Sequence, residues 1–483
     1  MFAFPDFSYK PRMFPLILAL ILGISYSLSI APGLSWAHFS ADGGDLISAA
    51  ATGGVPHPGG YPLYLILARG FQLLPVGELA FRTNLLSAVC TILTALLLYV
   101  YLRDELGERP LAQIPAFLAA LAYGLAPFVW GQALVTEVYA LHGLLMMLCL
   151  YVLGQNRLKI NEWTRGLVFG LAATNHLTAL MVFPLLALGA EEKLFASSPV
   201  LLKRCLGVAC GLSLYLYLPI CASFDPPINW GDASTLEGFF WLISGQLYHQ
   251  YPMNMSLVDV FQRMRAFAGL LLGQYTWLGA LLGIYGLISL PSRRLLISTL
   301  WMGLVFLLFA ISYGSYDSQV HLLPVWLVFA VWLAYGLQDL LVVLPAHNKW
   351  RMFIAALLFV AIMVRASLLF PSVDSSQDFR ARDFINNALQ VVPNNALVFV
   401  EGDGQIFSLW VAQYAMKQRL DMVIVAEGLL PYKWYHKNLQ RNYAYLNVPQ
   451  QNGLQASDMV AANPGRAACY IKYDEPLVCV TDR

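Results

Sequence analysis

Ten apolar runs, each of about 20 residues, constrain this chain more than any other feature, because that is the length a helix needs to cross a bilayer. They lie near 13–31, 84–102, 111–130, 134–154, 164–190, 204–221, 266–290, 295–313, 322–343 and 351–370. Over the 483 residues 58% are hydrophobic and only 12% charged, against about 25% charged in an ordinary soluble domain. The chain therefore reads as a polytopic membrane protein, mainly α-helical. Trp, Tyr and Phe make up 13%, as expected of aromatic belts at two membrane interfaces. The net charge of +1 supplies no basic face for nucleic acid. No small-residue cleavage site follows the first run, so it reads as a span and not as a signal peptide.

Basic residues set the orientation. They cluster at Lys10/Arg12, Arg103/Arg109, Arg157/Lys159/Arg165, Lys203/Arg204, Arg293/Arg294 and Lys349/Arg351. The positive-inside rule places all of these in the cytoplasm. The loops 32–83, 222–265 and 314–321 then face out. For that parity, 164–190 must enter and leave on the same side, as two short half-spans broken near Asn175-His176. Non-helical backbone at that depth is tolerated only against protein or a water-filled cavity.

After Phe370 the composition turns polar. Apolar runs at 396–400 and 422–426, with a helical pattern at about 405–417 between them, predict strand–helix–strand order. The expected organisation is a transmembrane domain over 1–370 and a small soluble α/β domain over 371–483, on the outer side. Five of the seven cysteines lie in or beside apolar runs. Cys469 and Cys479 instead flank a short strand-like run in the polar region, where a disulfide would need an oxidising compartment.

Chemistry concentrates in the first outer loop, which reads ADGGDLISAAATGGVPHPGGYPLY over 41–64. Asp42 and Asp45, three apart, share one face if a helix begins there. A carboxylate within hydrogen-bond reach can take the proton from an attacking hydroxyl, and negative charge favours an oxocarbenium-like sugar carbon. Asp42 also fits a plain helix N-cap. His57, in a loop stiffened by proline and freed by glycine, could donate to a phosphate or sugar oxygen, and Tyr61 could stack on a sugar or prenyl group. Arg82, at a membrane edge, either snorkels or pairs with an anionic head group.

Further polar groups recur at membrane depth or on outer loops. Glu137 and Tyr139 stand at the outer end of a span, where a charged residue is a functional candidate. Asn175 and His176 either serve a site or bond between helices. In the loop 222–251, Trp230 could stack on a sugar while Asn229 and Tyr248 hydrogen-bond one; 236–250 also fits an aromatic helix lying on the membrane surface. Tyr313, Tyr316, Asp317 and His321 form a smaller outer cluster. Glu401-Gly402-Asp403-Gly404 follows a strand and opens a helix, where it could bind something at the helix start or serve as a plain turn with an N-cap. No metal-ligand spacing, phosphate-cradling motif or cofactor signature stands out.

Asp42-Gly43-Gly44-Asp45, His57-Pro58-Gly59-Gly60-Tyr61-Pro62-Leu63 and Arg82-Thr83-Asn84-Leu85 together resemble a bacterial and animal membrane family that includes a protein O-mannosyltransferase of plexin-type receptors. Its pattern is close to D-x-G-E, H-P-P-G-Y-P and R-x-N-L-x-S. Glu137-Val138-Tyr139, Asn175-His176, Asn229-Trp230-Gly231, Gly402-Asp403, Trp410 and Arg419-Leu420-Asp421 look like later motifs. Asp45 stands where the family has Glu, and Gly59 where it has a second Pro. The resemblance implies a GT-C fold, a catalytic Asp in the first outer loop, a polyprenyl-phosphate sugar donor and inversion at the sugar carbon. Carried over by position, Asp42 is the base, Asp45 its neighbour, and His57 and Tyr61 shape the donor pocket.

The expectation is thus a GT-C-like glycosyltransferase on the outer face of a bacterial inner membrane, with lipids around it. It would move a sugar such as mannose from a polyprenyl phosphate to Ser or Thr of an exported protein, or to a hydroxyl on a lipid or glycan. The competing class is a lipid or glycan transporter, which predicts inverted repeats; none is visible.

Overall fold

The computed structural model describes residues 13–154, 160–189, 195–251, 255–343, 348–473 and 475–480. Among the described residues, six helices are long and apolar enough to cross a membrane: Leu79–Leu106, Ser198–Ala222, Leu257–Ile288, Arg293–Ser312, Ser318–Val343 and Lys349–Val373. Shorter apolar helices run over Met13–Ser29, Gln113–Gly124, Tyr139–Leu153 and Leu177–Ala187. The expected span 111–130 is divided, because Gln113–Gly124 stops and Pro127, which presets the first turn, starts Pro127–Gln132. The break expected near Asn175-His176 is present. The helix Glu162–Asn175 ends at an extended His176 (φ −157°, ψ 132°), and a 3-10 stretch, Leu177–Ala187, follows.

Small residues let this broken segment pack. Gly166 and Gly170 face Gly207 and Gly211, two pairs each spaced by four, across the helices Glu162–Asn175 and Ser198–Leu212. A Cβ on Gly166 would lie 1.8 Å from the Arg204 carbonyl oxygen, and one on Gly207 2.0 Å from that of Trp163. Backbone contact that close is open only to glycine, as in membrane helix pairs generally.

The basic residues gather at one end of the bundle. Arg109 lies 3.8 Å from Asp339, and Glu162 pairs with Arg204 at 2.6 Å and Arg165 at 3.5 Å. Arg294 donates to the carbonyls of Leu153 and Gly189. Lys10, Arg12, Arg157 and Lys159 fall outside the described residues.

The other end carries the outer loops and a four-stranded sheet of order Val423–Ala426, Leu397–Val400, Ala468–Ile471, Val478–Val480. The first three strands are parallel and the last antiparallel. Leu397, Val398, Phe399 and Val400 are all buried, as an apolar run covered on both faces must be. The helix Asp403–Trp410 and a π-turn, Val411–Ala415, connect two of the parallel strands. Cys469 and Cys479 are register partners across the last strand pair and form a disulfide. The last long helix continues to Val373, so the membrane-to-sheet transition lies a few residues beyond 370.

Candidate active site

The helix Gly43–Thr52 begins at Asp42, whose side chain makes no capping bond. The carboxylate instead faces His57, with Oδ2 3.7 Å from Nε2, and stays 35% exposed. One turn on, Asp45 is fully buried. It accepts three bonds: from the backbone N–H of His57 at 2.8 Å, from His57 Nδ1 at 2.8 Å and from the indole N–H of Trp230 at 3.2 Å. Because a buried carboxylate only accepts, Nδ1 carries the proton, and this leaves Nε2 directed at Asp42. Asp45 thus orients the imidazole, and the imidazole faces Asp42.

The proline-glycine loop fixes this geometry. Gly59 adopts φ +110°, outside the reach of proline's ring, and its N–H donates to the Leu242 carbonyl at 3.0 Å. A proline at this position could not adopt this backbone conformation. Tyr61 donates to the Pro58 carbonyl at 3.0 Å and packs edge-on to His57, with centroids 5.0 Å apart. The Val55 N–H bonds the Ile228 carbonyl at 2.9 Å and the Trp230 N–H returns to Val55 at 3.1 Å, which locks the distant loop beside the first one.

Electrostatics follow from crowding. The Asp42 carboxyl is pushed up to about 7; burial is the largest cause, His57 opposes it, and Asp403, Asp317 and Asp45 add to it. Burial disfavours the His57 cation, yet Asp42 and Asp45 outweigh it and raise its pKa. The two groups face each other closely enough for their titrations to be coupled. Glu137, 3% exposed, is held protonated to higher pH by burial and by the charges of Asp42 and Asp317, although the N–H groups of Val138 and Asp42 donate to it.

Two carboxylates in this field come from elements far away in sequence. Asp317 belongs to the loop before Ser318–Val343. Asp403 opens the helix Asp403–Trp410 of the C-terminal region, the helix start expected after the strand there. That helix lies on the aspartate-bearing one: a Cβ on Gly44 would sit 2.6 Å from the Phe407 carbonyl oxygen, and Trp36 Nε1 donates to Ser408 at 3.1 Å. Burial and the nearby aspartates raise the Asp403 pKa, with His57 opposing.

A second layer holds Tyr139, His142, His176 and His321, with Tyr139 5.7 Å from His176 and 5.9 Å from His321 between ring centroids. Thr178 bridges His176 at 2.8 Å and His142 at 3.3 Å. His142 was not singled out from the sequence; its place four residues after Val138 was the available signal. Asn175 donates to the Val138 carbonyl at 3.3 Å. Tyr248 is half-buried at the rim and stacks on Tyr251 with centroids 6.4 Å apart. Arg82 is elsewhere: its guanidinium donates to the carbonyls of Gln72, Val76 and Gly77 and so closes that loop. Three of its five N–H donors are thus used within its own loop. Among the described residues no group of three His, Cys, Asp or Glu is arranged to hold a metal ion.

Known proteins resemble this chain in sequence and in fold. Residues 42–193 match the family model of the Protein O-mannosyl-transferase TMEM260 N-terminal domain, and residues 381–463 match TMEM260-associated domain 2. The mouse Protein O-mannosyl-transferase TMEM260 is 27% identical over 485 aligned residues, covering 91% of this chain and 67% of the mouse protein. The Dictyostelium discoideum relative of the same name is 24% identical over 306, covering 57% of this chain and 36% of that protein. In fold, the chain is similar to ArnT from Cupriavidus metallidurans bound to undecaprenyl phosphate: TM-score 0.59, 14% identity, 96% of this chain and 92% of that one. With two domain models matched in chain order and a GT-C fold, this multi-pass membrane chain is similar to the TMEM260 protein O-mannosyl-transferases.

Proposed function

We propose that this protein transfers a sugar, mannose in the first instance, from a polyprenyl phosphate to a hydroxyl, with Asp42 as the general base. The acceptor is a Ser or Thr side chain of an exported protein. Asp42 takes the hydroxyl proton as the acceptor oxygen forms its bond to the sugar C1. The bond from C1 to the phosphate oxygen breaks with its electron pair, and polyprenyl phosphate leaves. Attack opposite the leaving group inverts C1.

The observation that carries this reading is the Asp42 carboxylate, uncapped, part-exposed and held at about 7 beside His57. A base with a pKa near the working pH suits proton abstraction. Asp45 and Trp230 position His57, and Tyr61, Tyr139, Asn175, His176, Asn229 and Tyr248 border the donor and acceptor paths. The site lies at the end of the bundle opposite the basic residues, so by the positive-inside rule the reaction runs on the non-cytoplasmic face, the periplasmic side in a bacterial inner membrane. Purified protein incubated with radiolabelled polyprenyl-phosphate sugars and a Ser/Thr-containing peptide tests this. The expected result is labelled peptide from one sugar; labelled peptide from none of them rejects the reading.

A further inference from the structure

The helix Leu236–Ile243 has two faces with different surroundings. Gly238 and Leu242, four apart, are buried. A Cβ on Gly238 would lie 2.0 Å from the Gly231 carbonyl oxygen, so this face rests on the loop that carries Trp230. The Leu242 carbonyl accepts the Gly59 N–H at 3.0 Å. Trp241, on the flank, packs against Tyr432 and Trp434 of the C-terminal region, at 5.8 and 5.7 Å between ring centroids. Leu236 and Phe240, also four apart, lie on the opposite face of the helix and are 79% and 61% exposed.

The surroundings of that face say what covers it. A Cβ on Gly60 would meet Leu218 at 2.5 Å and Leu242 at 3.3 Å, so these two leucines converge on one glycine. Leu218 belongs to the span Ser198–Ala222, one turn from its end. Lys203 and Arg204 mark the opposite end of that span as cytoplasmic. The helix Leu236–Ile243 therefore sits at the outer end of a membrane span. Leu216 and Ile220 of the same span are exposed, as lipid-facing residues are, and Phe224, two residues past its end, is 80% exposed. Exposed apolar residues thus continue from the side of the span, past its end, to Leu236 and Phe240.

We infer that the helix Leu236–Ile243 lies in the outer-leaflet interface of the bilayer, with Phe224, Leu236 and Phe240 among the lipid chains, and that it is a bracket setting the depth of the Gly59 loop. An apolar face of this kind seats a helix about 5–10 Å into the boundary between head groups and acyl chains. Aromatic rings suit that boundary. The occupant is lipid and not a soluble protein, because the face adjoins the end of a span, where head groups already surround the chain. The bond from the Gly59 N–H and the contacts at Gly60 tie the loop to the helix, so the loop follows the helix's depth. That this depth also meets a lipid-borne donor rests on the proposed transferase function; the seating in the bilayer does not.

Site-directed fluorescence on the full chain in phosphatidylcholine nanodiscs tests the seating. Cys205, Cys210 and Cys221, the free cysteines that are not buried, are replaced by alanine. A bimane probe is attached at Phe240→Cys or, as an aqueous reference, at Asn452→Cys, an exposed position of the C-terminal region. The probe at 240 should be quenched by lipid carrying a doxyl group near the top of its acyl chain, and be about fivefold less open to iodide than the probe at 452. Equal iodide quenching at the two positions overturns the seating, as does shielding of position 240 from both quenchers, which a second copy of the chain would give. Hydrogen exchange over 57–63 in the same nanodiscs tests the bracket. Leu236→Asp combined with Phe240→Asp alters two exposed side chains, so the protein should melt near the wild-type temperature while exchange in this segment speeds up about tenfold. Unchanged exchange overturns the bracket. If the double variant melts early, Phe240→Gln alone is read in the same way. None of these measurements uses sugar transfer, so the seating stands or falls apart from the transferase reading.

Discussion

The indole nitrogen of Trp230 donates to Asp45 across 185 residues of sequence, at 3.2 Å, and the same carboxylate orients His57. A bond to a charged, fully buried acceptor is worth about 1.5–3 kcal/mol. Trp230→Phe keeps an aromatic ring and removes the N–H, so His57 is held less firmly against Asp42. The turnover rate is expected to fall about tenfold to a hundredfold, with donor binding less affected; steady-state kinetics with varied donor checks this, and an unchanged rate contradicts it.

With Asp42 as the proposed base, its carboxyl sets the pH profile. A base must be deprotonated, and burial raises this carboxyl from the ordinary acidic range to about 7. Activity should therefore rise with pH through about 7. Asp403 adds negative charge near Asp42, so Asp403→Asn should lower the Asp42 pKa and move the ascending limb to lower pH. A limb that stays in place, or moves up, removes Asp403 from the site's field.

Gly44 has no chemistry to perform, yet a Cβ there would meet the Phe407 carbonyl at 2.6 Å. Backbone cannot yield as a flexible side chain can. Gly44→Ala should push the helix Asp403–Trp410 off the aspartate helix and lower activity at least tenfold. Limited proteolysis of the C-terminal region should speed up in parallel.

The bridge between Cys469 and Cys479 closes a short loop of sequence separation 10, for which the chain-entropy estimate is about 2–3 kcal/mol. Replacing both cysteines by serine should lower the unfolding temperature of the C-terminal region by several degrees. Thiol counting under denaturing, non-reducing conditions should find these two cysteines protected.

Much of this was legible in the chain. The apolar runs, the break at His176, the strands near 396–400 and 422–426, and the paired cysteines follow from local pattern, because periodicity and polarity are local properties. The grouping of Asp42, Asp45 and His57 was also visible, as a polar loop held between apolar helices. Two things were not legible. The sequence placed Asp403 at a helix start but not beside Asp42, because that proximity depends on how the C-terminal region docks on the bundle. The loop-closing role of Arg82, three of whose donors go to carbonyls within ten residues, was the other. The glycine pairs joining 166–170 to 207–211 were present in the sequence at helical spacing, and their partnership appears only when the two helices are placed side by side.

The central claim is that the Asp42 carboxylate removes the acceptor proton. Asp42→Asn preserves the shape of the side chain and abolishes its basicity. With the polyprenyl-phosphate sugar that the wild type uses, the account predicts that this variant still retains the donor in a filter-binding assay but transfers sugar to peptide at least a thousandfold more slowly at every pH. Transfer at the wild-type rate with the same ascending limb near pH 7 would contradict it.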